Sequence, residues 1–191
     1  MVLGSHNSWS YLTPKKWWMK LIRFTAQCQK ADIFEQYSKY NVRCFDLRVR
    51  FAKDHSLLVV HNMIEYKIEE YELLNQLAFL NGMKKCYVRI LLDVRKRKHY
   101  TEEQRILFQE LCLNLEHNFP KIKFWCGRNL YNWEYEYHFG YNPTTTERYA
   151  SVCKPHLLDD WFPFIYAWKN NKKIKEETFN SEILLIDFVN L

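Results

Sequence analysis

Along residues 44–50 apolar and polar side chains alternate, with Phe45, Leu47 and Val49 on one side and Asp46, Arg48 and Arg50 on the other. A period of two marks a strand with one apolar face. A polar break over residues 52–56 follows, and Leu57-Leu58-Val59-Val60 then delivers His61 to the end of a second strand. Upstream, Met1-Val2-Leu3-Gly4 is a short apolar strand that delivers Ser5-His6-Asn7-Ser8 to its own end.

Helical spacing appears between these runs. Thr13 and Pro14 supply an N-cap and a first-position proline. They open a predicted helix over residues 15–28, in which Trp17, Leu21, Phe24 and Cys28 share a face among Lys15, Lys16, Lys20 and Arg23. A second helical piece covers residues 31–40, and a third residues 68–80 with Gly82 as C-cap. Residues 86–93 read as a strand ending on Asp93. Thr101-Glu102-Glu103-Gln104 is a capping box for a helix running to Asn118, ahead of Pro120. A short strand over residues 122–125 precedes Gly127 and Arg128, and residues 131–141 read as strand and loop. Residues 157–169 are helical in pattern, the lysine-rich run after them a solvated loop, and residues 182–189 a last strand carrying Asp187.

Alternating strands and helices imply an α/β fold with a parallel sheet and right-handed crossovers. Reactive side chains at several strand ends point to a TIM-type (β/α) barrel. A full barrel takes about 250 residues, so this chain predicts a small, distorted or incomplete one, forming a single domain over residues 1–191. An open doubly wound sheet is the alternative, but its nucleotide fingerprint is missing.

Composition narrows the chemistry. A hydrophobic content of 48% excludes disorder. Thirteen Tyr, thirteen Phe and seven Trp suit contact with sugar faces or a lipid interface. The formal charge of +6 favours anionic partners, and four glycines leave no Gly-rich phosphate loop. No motif supports a nucleic-acid partner. The six cysteines, at 28, 44, 86, 112, 126 and 153, show no zinc spacing and read as buried free thiols. His55, His99, His117, His138 and His156 show no ligand spacing either. With no signal peptide and no apolar run long enough to span a bilayer, a cytoplasmic or peripheral-membrane monomer is expected.

Taken singly, Asp46-x-Arg48 reads as a surface ion pair, His61 as a hydrogen-bonded structural histidine and His6 as a loop residue with no task. Together at strand ends they read as a site. Two imidazoles suit general base and general acid work, because each can hold the opposite protonation state near neutrality.

Three segments, Gly4-Ser5-His6-Asn7-Ser8, Cys44-Phe45-Asp46-Leu47-Arg48 and Val59-Val60-His61, resemble the catalytic half of phosphatidylinositol-specific phospholipase C, particularly the bacterial type. The resemblance implies His6 as general base and His61 as general acid. It implies further that Asp46 and Arg48 hold the acid and the phosphate, and that Asp187 orients the base. Asp46 beside His61 would favour its imidazolium. Asn7, Asp46 and Asp93 fall at calcium-ligand positions of the animal enzymes, but Arg48 occupies the fourth. Calcium is therefore disfavoured, and neither metal nor cofactor is expected. Asn7, Asp93, Arg89 and Arg128 are the expected substrate-binding residues. Arg89 also fits an ion pair, and Arg128 a solvated arginine.

The implied reaction is cleavage of phosphatidylinositol-like phosphodiesters by the inositol 2-hydroxyl. The alternatives are a metal-dependent glycerophosphodiester phosphodiesterase, whose acid-x-acid pair Arg48 breaks, and a non-catalytic module binding inositol phosphates or a membrane surface. Lys16, Trp17 and Trp18 read as contacts to an anionic membrane surface. The opposing reading packs Trp17 and Leu21 onto the sheet.

Overall fold

Both faces of the strand Cys44–Phe51 are buried, for different reasons. Phe45, Leu47 and Val49 belong to the large core beneath the helices, while Asp46 and Arg48 line the opposite face with Cys44. The computed structural model describes residues 1–93, 101–126, 141, 143–146 and 161–191. Arg128, Cys153, His99, His138 and His156 lie outside the described residues, as do most of residues 131–141 and the first turn predicted for residues 157–169.

In chain order the elements are β1 (Val2–Ser5), α1 (Trp17–Leu21), α2 (Ile33–Ser38), β2 (Cys44–Phe51), β3 (Leu57–His61) and β4 (Ile64–Glu65). Then come α3 (Glu70–Gly82), β5 (Tyr87–Leu92), α4 (Glu102–Asn118), β6 (Lys123–Trp125), β7 (Thr145–Thr146), α5 (Pro163–Glu176) and β8 (Ile183–Ile186). Six strands form a parallel arc in the order β7, β8, β1, β2, β5, β6. The first and last long-range strands, β1 and β8, lie side by side over four residue pairs, which curls the arc as in a barrel. Among the described residues β6 and β7 do not pair, so the barrel is not closed.

The sheet therefore has an outer and an inner face. The outer face packs against Ile33 of α2, Leu73, Leu77 and Leu80 of α3, Phe108, Cys112 and Leu115 of α4, and Tyr166 and Ile174 of α5. The inner face holds a small cluster of Cys44, Trp125, Ile183 and Leu185 at the bottom and the polar residues of β2 above it. Space there is tight. A Cβ on Gly4 would meet Leu185 Cδ2 at 2.6 Å and Cys44 Cβ at 3.0 Å.

Three expectations change. First, β3 runs antiparallel to β2, because the short break between them can only close a hairpin. β5 already holds the other edge of β2 at Val49, so β3 lies on the edge that β1 leaves at Ser5. Second, the helix predicted over residues 15–28 is broken into α1 and a 3-10 turn, Arg23–Thr25. Pro14 bridges to Tyr66, and Lys15 N donates to Glu65 O at 2.7 Å, which keeps that segment extended. Third, the lysine-rich run belongs to α5, which starts at Pro163 and buries Asn171 and Ile174 in that stretch. The capping box of α4 and its end at Asn118 stand as read. Cys28, Cys44, Cys86 and Cys112 are buried free thiols and Cys126 is half-buried. No helix among the described residues is long and apolar enough to cross a membrane.

Candidate active site

The turn after β1 is fixed by small buried polar groups. Ser8 Oγ accepts from Asp46 N at 2.7 Å, and Ser8 N donates to Asp46 O at 2.9 Å. Gln29 Nε2 donates to His6 O at 3.1 Å and Ile186 O at 2.9 Å, joining the ends of β1 and β8. Ser10 Oγ accepts from the backbone N–H of both Cys28 and Gln29 at 2.9 Å. Gln36 Nε2 donates to Ser8 O at 2.9 Å. Ser8 belongs to a segment the sequence singles out, but Ser10, Gln29 and Gln36 carry no motif, so sequence reasoning passes over them.

Three of the predicted site residues share one local device. His6, His61 and Asp187 are each followed directly by a residue in the left-handed region: Asn7 (φ 47), Asn62 (φ 56) and Phe188 (φ 46). Asparagine tolerates that region and phenylalanine does not. Phe188 is held there by its own N–H, which donates to Cys28 O at 2.6 Å, and by Asn171 Nδ2, which donates to Phe188 O at 3.0 Å.

The structure brings five of the predicted residues together. His6 Nδ1 lies 2.7 Å from Asp187 Oδ1, and His6 Nε2 lies 2.7 Å from Arg48 Nη2. A guanidinium can only donate, so Nε2 accepts and Nδ1 carries the proton that Asp187 receives. The rings of His6 and His61 stand edge to face, 6.0 Å between centroids and 88° between planes. His61 Nδ1 donates to the carbonyl of Ala26 at 2.8 Å. The second proton of an imidazolium would thus sit on Nε2.

Asp46 has a different set of partners from the one expected. Its Oδ1 accepts from Arg89 Nε at 2.8 Å, and its Oδ2 accepts from Arg48 Nε at 3.2 Å and from Asn7 N at 2.9 Å. Oδ2 is also 4.0 Å from His6 Nε2. Burial alone would raise this carboxyl, but the guanidiniums of Arg89 and Arg48 override it and hold the group well below the usual carboxylate range. Asp46 is thus an anchor for Arg48, close to the first histidine.

The remaining predictions divide. Arg89, opposite Asp46 in the β2–β5 register, is 1% exposed and lies over Trp125. It supports Asp46 from within the barrel and does not line an open surface. Asn7 is buried, with Nδ2 3.4 Å from Ala26 O. Asp93 sits beyond β5, where its Oδ2 accepts from Asn62 N at 2.9 Å and its Oδ1 lies 3.6 Å from Arg50. Burial raises its carboxyl, against the pull of Arg48. Arg128 lies outside the described residues.

Trp17 is 74% exposed, with Trp18 and Lys16 also exposed, whereas Met19 is the buried residue of α1. Packing of Trp17 and Leu21 onto the sheet is thereby excluded. The sequence pattern makes Cys28 a helical core thiol, yet its Sγ lies 4.0 Å from His61 Nδ1.

No protein-family profile matches the chain, and no curated protein does. Solved structures do match. Phosphatidylinositol-specific phospholipase C from Listeria monocytogenes aligns with a TM-score of 0.62 at 15% identity, over 98% of this chain and 87% of that one. A pentafluoro-Phe form of the Staphylococcus aureus enzyme gives 0.62 at 14%, over 98% and 85%. A Staphylococcus aureus structure concerned with membrane binding gives 0.57 at 14%, over the same shares. At such identities the likeness is one of architecture, and the conclusion it carries is that this chain has the fold of the bacterial phosphatidylinositol-specific phospholipases C.

Proposed function

We propose that the protein cleaves phosphatidylinositol-like phosphodiesters by internal attack of the inositol 2-hydroxyl. The observation that carries this reading is the pair of imidazoles 6.0 Å apart with a guanidinium hydrogen-bonded to one of them. His6 Nε2 takes the hydroxyl proton while its Nδ1–H stays on Asp187, which also stabilises the charge the ring gains. The new O–P bond closes a cyclic inositol phosphate. As the P–O bond to glycerol breaks, His61 Nε2 gives its proton to the departing oxygen.

Arg48 links binding to chemistry. It sits on the lone pair that the base needs. A phosphate, with two oxygens to offer a guanidinium, draws it away and uncovers His6. Its charge then serves the anion that develops in the transition state.

Metal independence belongs to the same reading. Calcium takes six or more oxygen ligands, but both oxygens of Asp46 hold guanidiniums and Asp93 holds Asn62 N–H and faces Arg50. That ligand set suits arginine and not a hard cation.

Substrate delivery from an anionic membrane surface is supported by exposed large apolar side chains, mostly aromatic, on neighbouring segments. Trp17, Leu21 and Phe24 are exposed, Phe24 stacks on Phe162 at 5.6 Å, and Trp161 and Trp168 are exposed beyond it. Phosphorus NMR of the products from phosphatidylinositol vesicles, with and without chelator, tests the proposal. A transient cyclic inositol phosphate in both samples is expected. Binding without turnover, or turnover abolished by chelator, overturns it.

A further inference from the structure

Cys28 has no part in the reaction above, yet it is fully buried against both histidines' partners. Ligand atoms of His6, Cys28 and Asp187 all lie within 4.8 Å of one another. The thiol is also 3.6 Å from Ala26 O, the carbonyl that holds His61. Its backbone is pinned on both sides: Cys28 N donates to Ser10 Oγ at 2.9 Å, and Cys28 O accepts from Phe188 N at 2.6 Å. The second bond fixes Cys28 to the residue that follows Asp187, so thiol and carboxylate keep their spacing.

We propose that His6, Cys28 and Asp187 form a site for a soft divalent cation, zinc or cadmium, and that occupancy switches the catalytic pair off. Zinc accepts thiolate, imidazole and carboxylate ligands in a tetrahedron, with bonds of about 2.0 to 2.3 Å that set neighbouring ligand atoms about 3.5 Å apart. With the donors already within 4.8 Å of one another, the longest gap closes by little more than one ångström, and His6 Nδ1 and Asp187 Oδ1, 2.7 Å apart, open by less than one. The donor set also chooses the metal. A thiolate selects zinc over calcium or magnesium, which prefer oxygen alone. Three protein ligands leave a fourth position for water.

Protons balance simply. The thiol gives its proton to solvent, the imidazole coordinates in its neutral form, and the carboxylate is already ionised. Uptake therefore releases one proton and weakens as pH falls. Whichever ring nitrogen the ion takes, His6 loses either its lone pair for the hydroxyl or its orientation by Asp187. Binding stands independently of the proposed function, and only the inhibition rests on it.

Cobalt(II) is the probe. Titration of the full chain is expected to give tetrahedral d–d bands and a thiolate-to-cobalt charge-transfer band at one equivalent, both displaced by zinc. Cys28→Ser loses the charge-transfer band, while Cys126→Ser, altering the half-buried thiol, keeps it. No thiolate band in the wild type, or a band that survives Cys28→Ser, overturns the site. X-ray absorption of the zinc-loaded wild type needs no variant: one sulfur at about 2.3 Å is expected, and a shell of nitrogen and oxygen alone overturns it. Turnover of phosphatidylinositol that stays unchanged in the zinc-loaded protein overturns the switch but not the site. A protein that shows the band yet turns over nothing overturns the proposed function and leaves the site standing.

Discussion

Arg48 and His6 share one lone pair: Nη2 of the guanidinium lies 2.7 Å from Nε2 of the ring. Asp46 restrains the same guanidinium at 3.2 Å, and Arg89 in turn restrains Asp46 at 2.8 Å. Under the proposed mechanism, the resting base is thus covered by a cation that a phosphate would draw off. Binding of the anion and readiness of the base become one event.

Loss of either imidazole tests the pairing. His6→Ala and His61→Ala are each expected to lower turnover of phosphatidylinositol by roughly a hundred- to ten-thousandfold, with a retained melting transition by circular dichroism. Full activity in the double variant removes the mechanism.

Arg48 is the residue proposed to stand in place of a metal. Arg48→Lys keeps the charge but loses the planar fork, and kcat is expected to fall about a hundred- to a thousandfold. Excess chelator leaves wild-type turnover unchanged in the same assay. Restoration of the lysine variant by added calcium would count against the ligand argument made from Asp46 and Asp93.

Asp93 predicts a pH dependence. Burial raises its folded pKa above the unfolded value of about 3.9. Between those two pKa values the folded chain holds a proton that the unfolded chain has lost. Its contribution therefore falls as pH rises through that acid window and is level above it. Asp93→Asn removes this slope, so chemical denaturation at several pH values should show the variant gaining on the wild type as pH rises. A difference that is constant across pH contradicts the assignment.

Gly4 is a packing prediction. Gly4→Ala forces its methyl against Leu185 and Cys44 and is expected to cost about 1–3 kcal/mol, as overpacking does. Leu185→Ala in the same chain should return part of that stability. Since β1 leads directly into His6, the single variant should also lose activity, and equal losses in single and double variants would exclude the contact as cause.

Trp17→Ala tests the membrane contact. Withdrawing one large side chain from a lipid interface should weaken vesicle binding by about 1.5–3 kcal/mol, roughly ten- to a hundredfold. Sedimentation with anionic vesicles measures this. Hydrolysis of a water-soluble cyclic inositol phosphate should be unchanged.

Much of this arrangement is legible in the chain because it is local. The alternation at residues 44–50 sets which side chains of β2 meet the helices and which enter the barrel. His6, His61 and Asp187 can be read as strand-end residues for the same reason. What escapes is long-range. Gln29 reaching residues 6 and 186, and Asp46 choosing Arg89 across the sheet, depend on register and not on any nearby pattern. The helical spacing of Trp17, Leu21 and Phe24 misleads because all three side chains are exposed while Met19 is buried, and the bridge from Pro14 to Tyr66 keeps the first predicted turn extended. Cys28 looks like a core thiol until the turn brings it beside His61.

The left-handed residues after His6, His61 and Asp187 have a consequence for how this protein can vary. Each of the three groups is aimed by a bend in its own main chain, one residue downstream. Substitutions at the exposed positions of α3 and α4 leave these bends untouched, whereas a valine or isoleucine at position 7 or 62 would strain the bend that aims the ring.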